Sequence, residues 1–92
     1  MRTIEKDPDA LLDYGFDWSG WLVPGDSVSS ASWAVTGSDN AVTLADPDVS
    51  GSKCTVWASG GTVGRTYVLR CRVVTANGRT DDRSMTLRIV QR

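Results

Sequence analysis

The sequence predicts an all-β sandwich of about seven short antiparallel strands, preceded by a flexible N-terminal arm over residues 1–10. Three observations lead there. Apolar and polar residues alternate with period two in several short runs. Turn signals recur at roughly 8–12-residue intervals, the spacing of sandwiches and barrels. The last third spells out a β-hairpin, TYVLRCRVVTANGRTDDRSMTLRIV.

Residues 1–10, MRTIEKDPDA, are polar and carry Pro8, which suits an arm or linker outside a single domain over residues 11–92. Leu12, Tyr14, Phe16 and Trp18 then alternate with Asp13, Gly15, Asp17 and Ser19, the mark of a half-buried strand. A helix over the same residues is the competing pattern, but Gly15 and the alternating aromatics count against it. Pro24-Gly25-Asp26 marks a turn. Ala31, Trp33 and Val35 alternate again, and Gly37-Ser38-Asp39-Asn40 is the next turn cluster. Val42-Thr43-Leu44 reads as a short strand, with a loop at Asp46-Pro47-Asp48 and Ser50-Gly51-Ser52. Cys54 to Trp57 is a strand ending at Ser59-Gly60-Gly61.

The hairpin admits an argument about register. Tyr67, Leu69, Cys71 and Val73 share one strand face, and Met85, Leu87 and Ile89 share one face of the next. A two-residue Asn77-Gly78 turn would oppose odd to even residues and put the two apolar sets on opposite sides. A three-residue loop, Ala76-Asn77-Gly78, closes Thr75 on Arg79 and sets Leu69 against Met85 and Tyr67 against Leu87. Gly78 then takes the left-handed position. A bulge near Asp81-Asp82 is the other way to restore parity. With the three-residue loop, Arg72 faces Asp82 on the outer side.

Composition bounds the chemistry. Ninety-two residues make one domain of modest stability. No apolar run approaches the ~18–20 residues of a membrane-spanning helix, so no membrane partner is expected. The N-terminus lacks the apolar core of a secretory signal, so the chain is expected to be made in, and kept in, the cytoplasm of the cell that encodes it. Cys54 and Cys71 each sit in an alternating strand and are expected to stay reduced as small buried residues. There is no histidine, so the commonest general base and neutral metal ligand are absent. Gly60-Gly61-Thr62-Val63-Gly64-Arg65 lacks the Gly-Lys-Ser/Thr ending of a phosphate loop. Neither Asp-Pro-Asp stretch has the ligand spacing of a calcium loop. The expectation is a non-enzymatic protein with no cofactor and no metal.

Charge is uneven. Residues 1–50 hold nine acids and two bases, while residues 51–92 hold two acids and eight bases. Acidic and basic strands could lie side by side and neutralise each other. Alternatively, the molecule has an acidic side and a basic side, which suits head-to-tail contacts in a symmetric assembly. The near-zero sum argues against nucleic acid as partner. Four tryptophans in 92 residues are many. Trp18 and Trp33 fit apolar strand faces, Trp57 shares a face with Thr55, and Trp21 beside Leu22 and Pro24 is the best contact candidate.

Several stretches carry a resemblance. They are Asp-Pro-Asp-Ala at 7–10, Phe-Asp-Trp-Ser-Gly-Trp-Leu at 16–22, Gly25-Asp26, Ser32-Trp33, Thr55-Val56-Trp57, Ser59-Gly60-Gly61 and Asn-Gly-Arg-Thr-Asp at 77–81. Together they resemble small structural proteins encoded in the head–tail gene clusters of tailed bacteriophages. Some of these are described as fibre–tail adaptors, immunoglobulin-like in fold. The resemblance implies an immunoglobulin-like sandwich and a virion component that joins tail, connector or fibre subunits in several copies. The residues expected to touch neighbours are Arg2, Asp7, Asp9, Trp21, Leu22, Pro24, Arg70, Arg72 and Arg88. The alternatives are a capsid decoration protein, or a glycan-binding sandwich, which would need two exposed aromatics on one concave face.

Overall fold

The structure, a computed structural model, describes residues 2–37 and 39–91, with Arg2 described by its backbone alone. Its seven strands are β1 (Arg2–Lys6), β2 (Leu12–Asp17), β3 (Val28–Gly37), β4 (Val42–Ser50), β5 (Lys53–Gly60), β6 (Thr66–Thr75) and β7 (Thr80–Ile89). They form a four-stranded sheet, β1-β7-β6-β3, and a three-stranded sheet, β2-β5-β4. The two pack as an immunoglobulin-like sandwich measuring 44 × 20 × 19 Å.

The hairpin has the three-residue loop that parity demands. Leu69 pairs with Met85 and Tyr67 with Leu87, and no register shift interrupts β6 and β7. Thr75 N–H donates to the Arg79 carbonyl (2.8 Å) and Gly78 N–H to the Thr75 carbonyl (3.0 Å). Gly78 has φ 85°, the left-handed value this loop requires.

That register gathers the inner face. Tyr67, Leu69, Met85, Leu87 and Ile89 meet Tyr14, Val42, Val56 and Ala58 of the other sheet in one buried cluster. A second cluster holds Trp18, Cys54, Cys71 and Val73, flanked by Phe16, Trp21 and Trp33. Each large aliphatic side chain so buried stabilises the fold by about 1.5–3 kcal/mol. Phe16 stacks on Trp33 at 5.9 Å across the two sheets. Cys54 and Cys71 are buried, unpaired thiols on β5 and β6. Burial pushes the Cys71 thiol up to about 12, aided by the neighbouring Cys54.

Two expectations are corrected. The N-terminal segment is no arm over residues 2–6. It is β1, and the first hydrogen-bonded pairing it makes is parallel, Ile4 beside Leu87 and Lys6 beside Ile89, so the strands are not all antiparallel. The polar composition concealed this because, among the described side chains of β1, only Ile4 and Lys6 turn inward. Lys6 is buried, and its Nζ donates to the carbonyls of Asp7 and Gly60, both at 2.8 Å. Burial lowers its pKa, against the opposing pull of Asp7 and Asp9. The second correction concerns Asp46-Pro47-Asp48, which is no loop. β4 runs through it with a bulge, since Ala45 pairs with Trp57 but Asp48 with Thr55. Asp46 takes φ 52°, a left-handed value that aspartate tolerates, and Pro47 is at home on an edge strand.

Gly78→Ala should cost on the order of 1 kcal/mol of unfolding free energy, because no atom crowds the site and the left-handed backbone alone is penalised. Chemical denaturation checks this, and a neutral substitution would remove the loop argument. Alkylation of the native protein should label neither cysteine, whereas both should react once it is denatured; labelling of the folded chain would contradict their burial.

Candidate functional site

The stretches at 16–22 and 77–81 meet at one end of the sandwich. Asp17 ends β2 by accepting from Ser19 N–H (2.9 Å), and the chain then coils so that Trp21 and Leu22 N–H both donate to the Trp18 carbonyl. This folds Trp21 back onto Trp18, edge to face at 5.2 Å. The hairpin supplies the lid. The Arg79 guanidinium lies 4.3 Å over Trp21, and that of Arg83 lies 4.3 Å over Trp18. Ala76 N–H donates to the Ser27 carbonyl (2.9 Å) and Asn77 N–H to Asp26 Oδ1 (3.2 Å), fastening the β2–β3 loop to the hairpin tip. Trp21 and Leu22 are consequently half-buried, while Val23 and Pro24 project from the loop.

Asp7 and Asp9 stand at the opposite end of the molecule, where Asp7 Oδ1 accepts from Asp9 N–H (2.8 Å) after β1. The structure does not bring them near Trp21, and the Arg2 side chain lies outside the described residues. The same end carries a clasp. Tyr67 OH donates to Asp39 Oδ1 (2.6 Å) and accepts from Thr62 N–H (3.1 Å), while Thr62 Oγ1 donates to Asp39 Oδ2 (2.8 Å). Gly37 is needed beside it, because a Cβ there would strike the Tyr67 ring. Hydrogen bonds from Tyr67, the Ala41 backbone and Thr62 hold the Asp39 carboxyl below the usual range. The clasp ties two loops and offers no reacting group.

Arg70, Arg72 and Arg88 do share one surface, the outer face of β1-β7-β6-β3, and all three are exposed. Arg72 Nε donates to Asp82 at 2.7 Å and Nη2 to its other oxygen at 3.0 Å, an aligned fork that lowers the Asp82 pKa. Arg88 sits beside Glu5 of β1. Opposite Arg70 stand Ser84 and Ala34.

Four of the nine acids of the first half fall on the other sheet. Asp13, Asp17 and Asp48 occupy β2 and β4, with Asp46 in the bulge and Lys53 on the strand between them. The two outer faces thus carry opposite excesses of charge, although Arg72, Arg88 and Lys53 each face an acid on a neighbouring strand. At the centre of this acidic outer face is Trp57, 39% exposed, between Asp13 and Ala45. Sequence reasoning passed over Trp57 as a contact residue. Its signal was parity: it alternates with Cys54, Val56 and Ala58, all buried.

No pocket opens and no metal-holding cluster forms among the described residues. Nor do two exposed tryptophans share a face, since Trp18 is buried and Trp21 and Trp33 are half-buried. The molecule is a small sandwich whose two outer faces carry opposite excesses of charge and whose loops are fastened by hydrogen bonds and ring contacts, the architecture of a small β-sandwich structural domain. The sequence matches, over residues 6–88, the family described as podophage GP4 fiber-tail adaptor protein gp77, and the chain belongs to that family. It is thus a structural component of a phage tail, and its partners are other virion proteins. No curated protein matches it.

The clasp yields a pH prediction. Asp39 has a lowered folded pKa, so its contribution is complete above the ordinary carboxylate value and is lost as pH falls through the folded value. The melting temperature should drop between about pH 5 and pH 2, with Asp17, Asp26 and Asp82 adding to the slope. Asp39→Asn keeps an acceptor but no titrating group and should flatten that slope; an unchanged slope would show that the clasp does not depend on the charge.

Proposed function

We propose that the chain joins tail and fibre components of the virion without catalysis, as a rigid spacer present in several symmetric copies. The observation that carries this reading is the division of charge between the faces of one small body, which favours directional contacts over random ones. The loop at residues 21–24 is one contact. Trp21 and Leu22 form its half-buried base, and Val23 and Pro24 are the part a neighbour can cover. Asp7 and Asp9 mark a second contact at the far end, 44 Å being the length the body can bridge, and Arg2, opposite Met85 midway along β7, belongs to the β1 edge between the two. Arg70, Arg72 and Arg88 form the basic face that meets acids on a neighbour. Synthesis in the host cytoplasm accords with the two reduced thiols. Nucleic acid and membrane are not among the proposed partners.

Phage carrying Val23→Glu test the loop contact. Because Val23 is exposed, the isolated variant should melt within a few degrees of the parent. Purified particles should nevertheless lack the protein or the fibre beside it. Complete, infectious particles would remove the loop from the interface, and particles that stay infectious without this chain altogether would replace the joining role with a dispensable decorative one.

A further inference from the structure

Two tryptophans of this chain carry a guanidinium over the ring, Trp21 under Arg79 and Trp18 under Arg83. Trp57 is the most exposed of the four, and among the described residues none has a guanidinium over it. Its surroundings suit one. Gly15 and Thr55 lie one row along, Ala45 lies beside it, and these small side chains leave the ring accessible on a flat sheet. Exposed carboxylates lie near the ring: Asp13 opposite it, Asp48 one row along and Asp46 in the bulge, while Asp17 stands two rows away beside Lys53. A π face within a rim of anions is complementary to arginine. The delocalised cation lies on the ring, and its N–H fork reaches the carboxylates. The more strongly hydrated ammonium of lysine fits this setting less well.

The same molecule presents the matching surface on its other side. Arg72 is held by Asp82, and Arg88 stands beside Glu5, but the cross-strand neighbours of Arg70 are Ser84 and Ala34. Ser32, Ala34 and Ser84 beside it are small, and the nearest acid, Asp82, is already forked by Arg72, so the Arg70 guanidinium is left to reach outward. We infer that the outer face of β2-β5-β4 is a docking surface for the arginine face of a second copy of this chain, with Arg70 over Trp57 and Asp13 and Asp48 receiving its N–H groups. The contact joins two different faces, so each copy keeps one of each free, and the association repeats from copy to copy. It builds on the arginine face proposed above by naming the acidic neighbour that face meets.

Sedimentation of the purified chain at low ionic strength, up to roughly 1 mM, tests it. The expected result is concentration-dependent association that about 0.5 M salt disperses. Trp57→Ala and Arg70→Glu should each weaken it about tenfold or more while the variant stays folded, with Trp57→Ala lowering the melting temperature by a few degrees because its ring is partly covered in the sheet. An equimolar mixture of the two variants should form dimers that grow no further, because each variant retains the face the other lacks. A chain that stays monomeric throughout would overturn the proposal, as would association that survives both substitutions, or a mixture that fails to pair. A monomeric chain together with loss of Val23→Glu protein from particles would separate the two ideas, ending self-docking while leaving the joining role in place.

Discussion

Everything in this fold hangs on the register between β6 and β7. The three-residue loop at Ala76-Asn77-Gly78 sets two apolar rows on the same side, and no other strand could form a core without them. β3 then pairs along β6 and β1 along β7, each adding inward residues to a face already defined. A slip of one residue would turn Leu69, Cys71 and Val73 to solvent while Met85 and Leu87 remained inside, leaving half a core. The left-handed glycine at Gly78 is thus a small local requirement with a consequence across the whole sandwich.

The hairpin also shapes the end of the molecule. Its tip holds the β2–β3 loop by backbone bonds, and Arg79 and Arg83 cover the paired tryptophans. The stretch at 16–22 and the stretch at 77–81 are thereby brought into contact. They are two halves of one packing unit. A loop of ten residues between two sheets would ordinarily be mobile, but here three aromatic or guanidinium layers and an aspartate cap restrain it. An adaptor gains from such restraint, since a pre-ordered contact loses less entropy on docking.

The division of charge has a topological origin. Consecutive strands β6 and β7 are hairpin partners and carry four of the eight arginines against two acids, so they give one sheet a basic excess. β2 and β4 carry the acids and sit on either side of β5 in the other sheet. β3 lies on the arginine sheet but brings no charge of its own. The sequence segregation of acids and bases therefore becomes a partial spatial one, tempered by Arg72 with Asp82, Arg88 beside Glu5 and Lys53 beside Asp17.

How much of this was legible beforehand differs from element to element. The sequence by itself determined the hairpin register, the burial of Cys54, Cys71 and Trp18, and the all-β class, because period-two alternation and glycine geometry act locally. It also carried the family likeness. Only the tertiary structure decided that Arg2–Lys6 is a strand. Two inward side chains, one of them a lysine, give no apolar signal until β7 offers an edge and the Gly60 carbonyl offers an acceptor. Only the structure carried β4 through Asp46-Pro47-Asp48, since a bulge on an edge strand accepts the residues that otherwise mark a loop. Parity along β5 already set Trp57 apart from the buried Cys54, Val56 and Ala58, but only the structure showed Trp21 drawn inward, because Arg79, which covers it, comes from a hairpin far away along the chain.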